Sequence, residues 1–242
     1  MSDPAAAAAP AGALELLAAL AARRDLRVAI VSGRTLADLR ARCPVTGACY
    51  VGGHGNETSD DLGPAARAPA LTVRRRLATI AEELGRRLPE WPGARLEAKP
   101  YSLALHYRGA PQSEEAIRAA FSAYAGAGDV RVMLGRQVLE LLPAHALTKG
   151  HAVERLRHRL GCDLALYFGD DVTDEDVFRL ADAEIIGIKV EHTENSLPTA
   201  ACYRVGSPQE VLVALQAILA LRQAASTAPA PEKLHKNYAA QT

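Results

Sequence analysis

Residues 169–176 read Gly-Asp-Asp-Val-Thr-Asp-Glu-Asp and place a cluster of carboxylates where an apolar run, 164–168, ends and a helix-like segment begins. So many negative charges in one turn repel each other unless a cation lies among them. A hard ion such as Mg2+ prefers oxygen ligands of this kind, and its candidate ligands are Asp170, Asp171 and Asp174. The alternative is the acidic first turn of a helix with one polar residue as its cap. A cap needs one carboxylate rather than several, so the pattern favours a metal site.

Two further side chains suit phosphate chemistry. Ser32 follows a short β-branched run, and its hydroxyl and the adjacent N–H groups would bind an anion if a helix begins there. Lys149 starts a helical stretch and can present a point charge to an anion. Taken singly, each residue has a plainer interpretation, Ser32 as a helix cap and Lys149 as a solvated surface lysine. Their order, followed by the acidic run, is typical of phosphatases.

Alternating strands and helices would bring these residues to one edge of a sheet. Helix-like and strand-like patterns alternate over 12–24, 27–31, 36–43, 49–52 and 164–168. This alternation predicts an α/β core with a parallel, doubly wound sheet. Ligands of such sheets bind at the carboxyl ends of the strands, and Ser32, His54 and Asp170 all follow such ends.

A segment of different character interrupts the alternation. It contains two helix–strand–strand units, with predicted elements over 73–87, 95–98, 102–107, 113–125, 130–134 and 137–142. Such a run predicts an α+β cap inserted into the core. We therefore assign residues 1–66 and 144–222 to the two pieces of the core domain, 67–143 to the inserted cap and 223–242 to a disordered tail.

The composition limits the function further. Of 242 residues, 49% are hydrophobic and 23% charged, which predicts a packed soluble core. Lys plus Arg and Asp plus Glu both total 28, so the formal net charge of +0 argues against a nucleic-acid-binding surface. The sequence has no run of 18 apolar residues to span a membrane and no basic start typical of a signal peptide. Four scattered cysteines predict reduced thiols in a cytoplasmic protein.

Seven short segments together carry a family resemblance. They are Val-Ala-Ile-Val-Ser-Gly-Arg at 28–34, Gly-His-Gly-Asn-Glu at 53–57, Glu-Ala-Lys at 97–99, Leu-His-Tyr-Arg at 105–108, Gly-Arg-Gln-Val-Leu-Glu at 135–140, Thr-Lys-Gly at 148–150 and the acidic run. Across about 11–221 the chain resembles the trehalose-6-phosphate phosphatases of the haloacid dehalogenase superfamily. The resemblance implies a Rossmann-like core, an α/β cap that closes over a disaccharide phosphate, and Mg2+ as cofactor. We expect a monomer that takes a small sugar phosphate.

The same resemblance implies roles for individual residues. Glu97, Lys99 and Glu140 would bind sugar hydroxyls from the cap, since a carboxylate accepts several hydrogen bonds. Lys149 and Ser32 would act on the phosphate during catalysis. The further implied substrate contacts are Ser32, Gly33, Arg34, His54, Glu57 and Arg108. The alternatives are charges paired across the cap sheet for the three cap residues, a structural role for His54, and a carboxylate partner for Arg34.

One segment of the family pattern is absent. Covalent phosphoryl transfer in this family uses Asp-x-Asp-Gly-Thr at the end of the first core strand, with the first Asp as nucleophile and the second as acid and base. The sequence contains no such segment. We therefore expect a chain that starts after that strand and that leaves two strands unpaired and apolar surface exposed. Such a chain would be poorly soluble or unstable.

Two hypotheses follow. The first is a Mg2+-dependent phosphatase that releases trehalose from trehalose 6-phosphate, or in the same class a phosphatase for another sugar phosphate. The second is a catalytically inactive protein that binds a sugar phosphate or regulates another enzyme, and it rests on the missing nucleophile.

Overall fold

The computed structural model describes residues 9–59, 71–125, 128–135, 137–191 and 198–227. The helices are α1 (Ala13–Ala21), α2 (Leu36–Arg42), α3 (Leu71–Arg87), α4 (Glu114–Ala125), α5 (Lys149–Leu160), α6 (Glu175–Phe178) and α7 (Pro208–Thr227). The strands are β1 (Ala29–Val31), β2 (Cys49–Gly52), β3 (Glu57–Thr58), β4 (Arg95–Ala98), β5 (Leu103–His106), β6 (Val130–Gly135), β7 (Val138–Pro143), β8 (Ala165–Gly169), β9 (Ile185–Val190) and β10 (Tyr203–Val205).

The core is an α/β unit whose strands form two sheets. In the first sheet β1 pairs parallel with β2, with Ile30 opposite Tyr50, and β3 adds an antiparallel edge. In the second sheet β9 lies between β8 and β10, and all three strands are parallel. The predicted α/β class with parallel pairing is confirmed, although the described strands are divided between two half-sheets.

Helix α5 packs against both half-sheets. One hydrophobic cluster joins it to the first sheet and contains Cys49, Val51, Ala152 and Leu156. A second cluster joins it to the second sheet and contains Val153, Val177 and Ile185. Val31 of β1 packs against both clusters, so the second sheet lies on the outer side of β1.

The outer edges of β1 and β8 are unpaired among the described residues. The N–H of Ser32 donates to the carbonyl of Val51 on β2, and the N–H of Ala165 donates to the carbonyl of Glu184 just before β9. Because successive N–H groups of a strand face opposite sides, those of Val31 and Leu166 face the outer, unpaired edges. Leu164 and Leu166 are 52% and 42% exposed beside this edge. We call the space between the outer edges of β1 and β8 the slot. Among the described residues this slot is bordered by unpaired strand edges and by two exposed leucines, and an incomplete sheet stays a prediction.

The cap is an antiparallel sheet with strand order β4-β5-β7-β6, and helices α3 and α4 pack against it. The hairpin predicted for β6 and β7 is present, with Gly135 opposite Val138. Leu105 and Leu139 pair on the face that the helices cover. Because side chains alternate along a strand, Glu97 and Glu140, both opposite Ala104, share the other face.

Some predicted boundaries differ from the structure. Helix α7 continues through Thr227, so the disordered tail predicted from 223 begins too early, and 228–242 lie outside the described residues. The predicted boundary at 66 also lies outside them. The helix expected after the acidic run is one 3-10 turn followed by the four-residue α6. The four cysteines form no disulfide among the described residues, and no described helix is long and apolar enough to cross a membrane.

Candidate functional site

The acidic turn after β8 holds a buried ion pair. Asp174, 3% exposed, accepts hydrogen bonds from Lys149 Nζ at 2.7 Å and from the Tyr167 hydroxyl at 2.6 Å on Oδ1. Its Oδ2 accepts the backbone N–H of Asp171 at 2.8 Å. Burial alone would raise the pKa of Asp174, but the charge and hydrogen bond of Lys149 outweigh it and hold this pKa below its usual value.

Lys149 is the first residue of α5, whose N-terminus is capped by the Thr148 side chain. Its side chain is buried, so the interpretation as a solvated surface lysine is wrong. The carboxylate of Asp174 fixes the ammonium at the end of β8, where anionic ligands of parallel sheets bind. This arrangement places one positive charge at the predicted phosphate side of the core.

Two of the three predicted metal ligands use their carboxylates within the turn itself. Asp171 accepts the N–H of Val172 at 2.7 Å and the hydroxyl of Thr173 at 3.2 Å, as a turn cap does. Both oxygens of Asp174 also accept protein donors. Asp170 is exposed at the carboxyl end of β8. Within the described ranges no three Asp, Glu, His or Cys residues are grouped to hold a metal, so the assignment of Asp170, Asp171 and Asp174 to Mg2+ stays a prediction.

A second buried cluster joins the cap to the core. Glu140 of the cap, 4% exposed, accepts Lys99 Nζ at 2.9 Å and the Ser102 hydroxyl at 2.5 Å on Oε1. Its Oε2 lies 3.0 Å from Nε2 of His54, which belongs to the core. Burial by itself would raise the pKa of Glu140. The His54 hydrogen bond and the charges of His54 and Lys99 lower it to about 2, so Glu140 is ionised at neutral pH.

Lys99 makes a second contact across the same boundary. Its Nζ donates to the backbone carbonyl of Gly33 at 3.3 Å. A Cβ at Gly33 would overlap the His54 ring, so this close packing requires glycine. His54 itself has a φ of 57° in the turn Gly53–Gly55, and its Nδ1 is buried without a hydrogen-bond partner.

The two clusters are connected through the start of α5. Asn56 donates to the carbonyl of Leu147 at 3.1 Å and accepts its N–H at 3.0 Å. Gly55, with a φ of 107°, packs so closely that an added Cβ would lie 2.6 Å from the carbonyl oxygen of Thr148. The turn that carries His54 is therefore fixed to the backbone just before Lys149.

The remaining predicted core residues have local partners. Ser32 accepts the N–H of Arg34 at 3.2 Å, whereas Thr35 caps α2, so the interpretation of Ser32 as the cap is wrong. Arg34 pairs with Asp38 at 2.7 Å, which supports the alternative that it has a carboxylate partner, although that carboxylate lies outside the acidic run. Glu57 accepts the first backbone N–H of α2 at 3.0 Å.

The other predicted cap residues are paired within the cap sheet. Glu97 lies 2.8 Å from Nε2 of His106 on the neighbouring strand, as the alternative of cross-strand charge pairs expects. Arg108 donates to the Gln137 side chain at 3.0 Å. Glu97 and Arg108 thus each bind a neighbour within the cap.

Sequence reasoning missed four residues of the site: Ser102, Asn56, Tyr167 and Lys189. Lys189 is buried on β9 and donates to the backbone carbonyl of Asp170 at 2.6 Å. Tyr167 offers a signal in the sequence, because a tyrosine inside an apolar strand needs a partner for its hydroxyl. Asn56 lies within the Gly-His-Gly-Asn-Glu segment, and membership of a segment that carries the family resemblance is its signal in the sequence. Ser102 and Lys189 have no comparable signal.

Comparisons with known proteins place this geometry in context. A family model described as trehalose-phosphatase matches residues 1–209. The chain is 36% identical over 226 residues to a trehalose-phosphate phosphatase of Mycobacterium tuberculosis (strain ATCC 25618 / H37Rv), covering 87% of this chain and 56% of that protein. It is 39% identical over 210 residues to an uncharacterised glycosyl hydrolase of the same strain, covering 83% of this chain and 16% of that protein. The chain thus spans about half or less of these relatives.

A solved structure shares the fold. The C-terminal domain of trehalose-6-phosphate phosphatase from C. albicans superposes with a TM-score of 0.74 at 24% identity, covering 91% of this chain and 87% of that one. At this identity the match concerns the architecture of core and cap.

Proposed function

The chain belongs to the trehalose-phosphatase family, and on that premise we propose that it supplies the cap and the phosphate-facing core of a Mg2+-dependent enzyme that hydrolyses trehalose 6-phosphate to trehalose and phosphate. The observation that carries the proposal is the contact of the cap's Lys99, which also binds Glu140, with the core at Gly33, beside Ser32. This contact supports the proposal because it brings a cap residue assigned to the sugar next to the core segment assigned to the phosphate.

We assign the cap residues to the sugar and the core residues to the phosphate according to their charges. Glu140, ionised and hydrogen-bonded, would accept sugar hydroxyls, and Lys99 would donate to them. Lys149, held by Asp174, would stabilise the negative charge on the phosphoryl oxygens. Ser32 at the end of β1 would donate its hydroxyl to the same group. Asp170 would hold Mg2+, which when bound neutralises phosphoryl charge.

The attacking carboxylate is the group that the sequence does not contain in the family's form. We propose that it reaches the site on an extended segment seated in the slot. A strand placed there would pair with the outward N–H groups of both β1 and β8, and it would cover Leu166. Its carboxyl end would then lie between Ser32 and Asp170, where an aspartate would face the phosphate.

Phosphate release tests the proposal. We would compare the chain with a version extended at its amino end by an apolar strand ending in Asp-x-Asp-Gly-Thr, using trehalose 6-phosphate and Mg2+. The extended version should release phosphate, and changing the first Asp of the added motif to Asn should abolish release. A folded extended version without turnover would contradict the proposal. Faster turnover of glucose 6-phosphate or sucrose 6-phosphate would show that the substrate is another sugar phosphate.

The second candidate, a sugar-phosphate-binding protein without turnover, rests on the missing motif and the buried cap cluster. Calorimetry of the chain with trehalose 6-phosphate and Mg2+ separates it from the first. Heat of binding without phosphate release from either version would favour it, and no heat would exclude it.

A further inference from the structure

The hydrogen bonds around Glu140 divide by domain. Lys99 and Ser102 belong to the cap and move with Glu140, whereas His54 belongs to the core. The Lys99 contact with the Gly33 carbonyl also crosses from cap to core. These two contacts hold the buried cluster to the core.

The closed arrangement covers the groups that the sugar would need. Glu140 is 4% exposed, and the side chain of Lys99 is 12% exposed. Both oxygens of Glu140 already accept protein donors, so a sugar hydroxyl meets no accessible acceptor there. A sugar hydroxyl therefore reaches Glu140 only when the cap has moved away from the core.

We propose that Gly33, His54, Lys99 and Glu140 form a latch that holds the cap on the core, with His54 as its core half. The assignment of Lys99 and Glu140 to the sugar rests on the proposed function, whereas the latch itself rests on geometry alone. Opening the latch separates His54 from Glu140 and Lys99 from Gly33 and breaks no bond inside the cap cluster.

The latch is built to open at small cost. When it opens, Glu140 keeps Lys99 and Ser102, so its charge stays compensated. His54 loses one hydrogen bond but exposes Nδ1, which is buried and unsatisfied when the latch is closed. Hydration of Nδ1 offsets part of the lost bond, because an unsatisfied buried polar group is itself destabilising. Such a contact suits a reversible closure better than a permanent one.

The reactivity of Lys99 measures the latch directly. The sequence has five lysines, so acylation by an amine reagent followed by mass spectrometry resolves each of them. His54→Asn keeps a residue that tolerates positive φ but is too short to reach Glu140. Losing one hydrogen bond to a charged group should raise the acylation rate of Lys99 about tenfold. Lys149, buried in an ion pair within the core, should keep its rate.

A matched variant separates the latch from a general effect of losing a histidine. His106→Asn removes the His106–Glu97 pair, which has similar chemistry but lies entirely within the cap. It should leave the rate of Lys99 unchanged. Gly33→Ala provides a second route, because its Cβ would push the His54 ring off Glu140 and should also speed Lys99 acylation. It serves if His54→Asn does not fold.

Two results would overturn the proposal. One is a Lys99 rate that stays at the wild-type value in a folded His54→Asn or Gly33→Ala protein. The other is a wild-type Lys99 that already reacts as fast as a free lysine. The measurement uses neither sugar phosphate nor Mg2+, so absent phosphate release would refute the proposed function and leave this result intact.

Discussion

Replacing Asp174 should destabilise the core far more than replacing any surface carboxylate. Asp174→Ala removes the acceptor of three hydrogen bonds and leaves the ammonium of Lys149 without its carboxylate partner. Both side chains are below 10% exposed, so water does not replace the lost partner. The variant therefore isolates one buried charge in the fold.

The expected loss in the free energy of unfolding is about 3–5 kcal/mol, the range for breaking a buried ion pair from one side. The matched control is Glu114→Gln, which removes a pair with Arg118 whose side chains are 42% and 43% exposed. Such a surface pair contributes about 0.5 kcal/mol or less. Each variant removes one negative charge, from a buried pair at Asp174 and from an exposed pair at Glu114.

Urea unfolding followed by circular dichroism measures both. The midpoint of Asp174→Ala should fall by about 1–2 M, and that of Glu114→Gln by about 0.2 M or less. The double variant Asp174→Asn/Lys149→Met should recover a large share of the stability lost in Asp174→Asn, because it no longer buries an unpaired charge. Equal midpoints for Asp174→Ala and the wild type would refute the argument from the buried pair.

The pH dependence gives an independent check. The folded pKa of Asp174 lies below its unfolded value, so the carboxylate stabilises the fold above the unfolded pKa. That contribution disappears as the pH falls through the folded pKa. Asp174→Asn has no such titration, so the stability difference between it and the wild type should shrink in acid. A difference that stays constant from neutral pH to strong acid would contradict the assignment.

Three further outcomes follow from the described contacts. Glu140→Gln should lower the free energy of unfolding at pH 7. It should also remove the loss of stability that the wild type shows between about pH 4.5 and 2, because the folded pKa of Glu140 is about 2 and its unfolded pKa is near 4.5. Urea midpoints measured against pH check both effects. Gly55→Ala should lower the midpoint more than Gly161→Ala, since both have positive φ but only Gly55 faces a backbone oxygen; similar midpoints would argue against the close approach. Tyr167→Phe should lower the free energy of unfolding by about 1 kcal/mol, because the Asp174 carboxylate loses one of its three hydrogen bonds. Thermal unfolding measures this, and a stabilised variant would contradict the hydrogen bond.

Much of the fold follows from local patterns. The strands around Ile30 and Tyr50 are short β-branched or aromatic runs, and the cap hairpin follows from the alternating residues on either side of 135–136. The helix after the acidic run and the end of α7 are less predictable. Asp171 and Asp174 bond inside the turn and stop a regular helix there, whereas the Ala-rich stretch to Thr227 has enough helix propensity to continue α7.

In the candidate site, too, some features follow from the sequence and others do not. Spacing and resemblance are sufficient to identify His54, Lys99, Glu140, Lys149 and Asp174 as candidates. Their partners are not predictable in this way, because His54 and Glu140 are 86 residues apart and meet only through the packing of cap on core. Glu57 likewise has a partner that its motif does not predict, since its carboxylate accepts a backbone N–H of α2.

By itself the sequence determined the α/β core, the inserted cap and the residue types that can handle a sugar phosphate, because periodicity and charge are local properties of the chain. Only the tertiary structure decided that Asp174 anchors Lys149, that the cap cluster closes on His54 and that the core sheet is split beside β1. Each of these depends on which residues distant in sequence are buried together. A buried charge is costly unless it is paired, and a buried strand edge is costly unless another strand pairs with it.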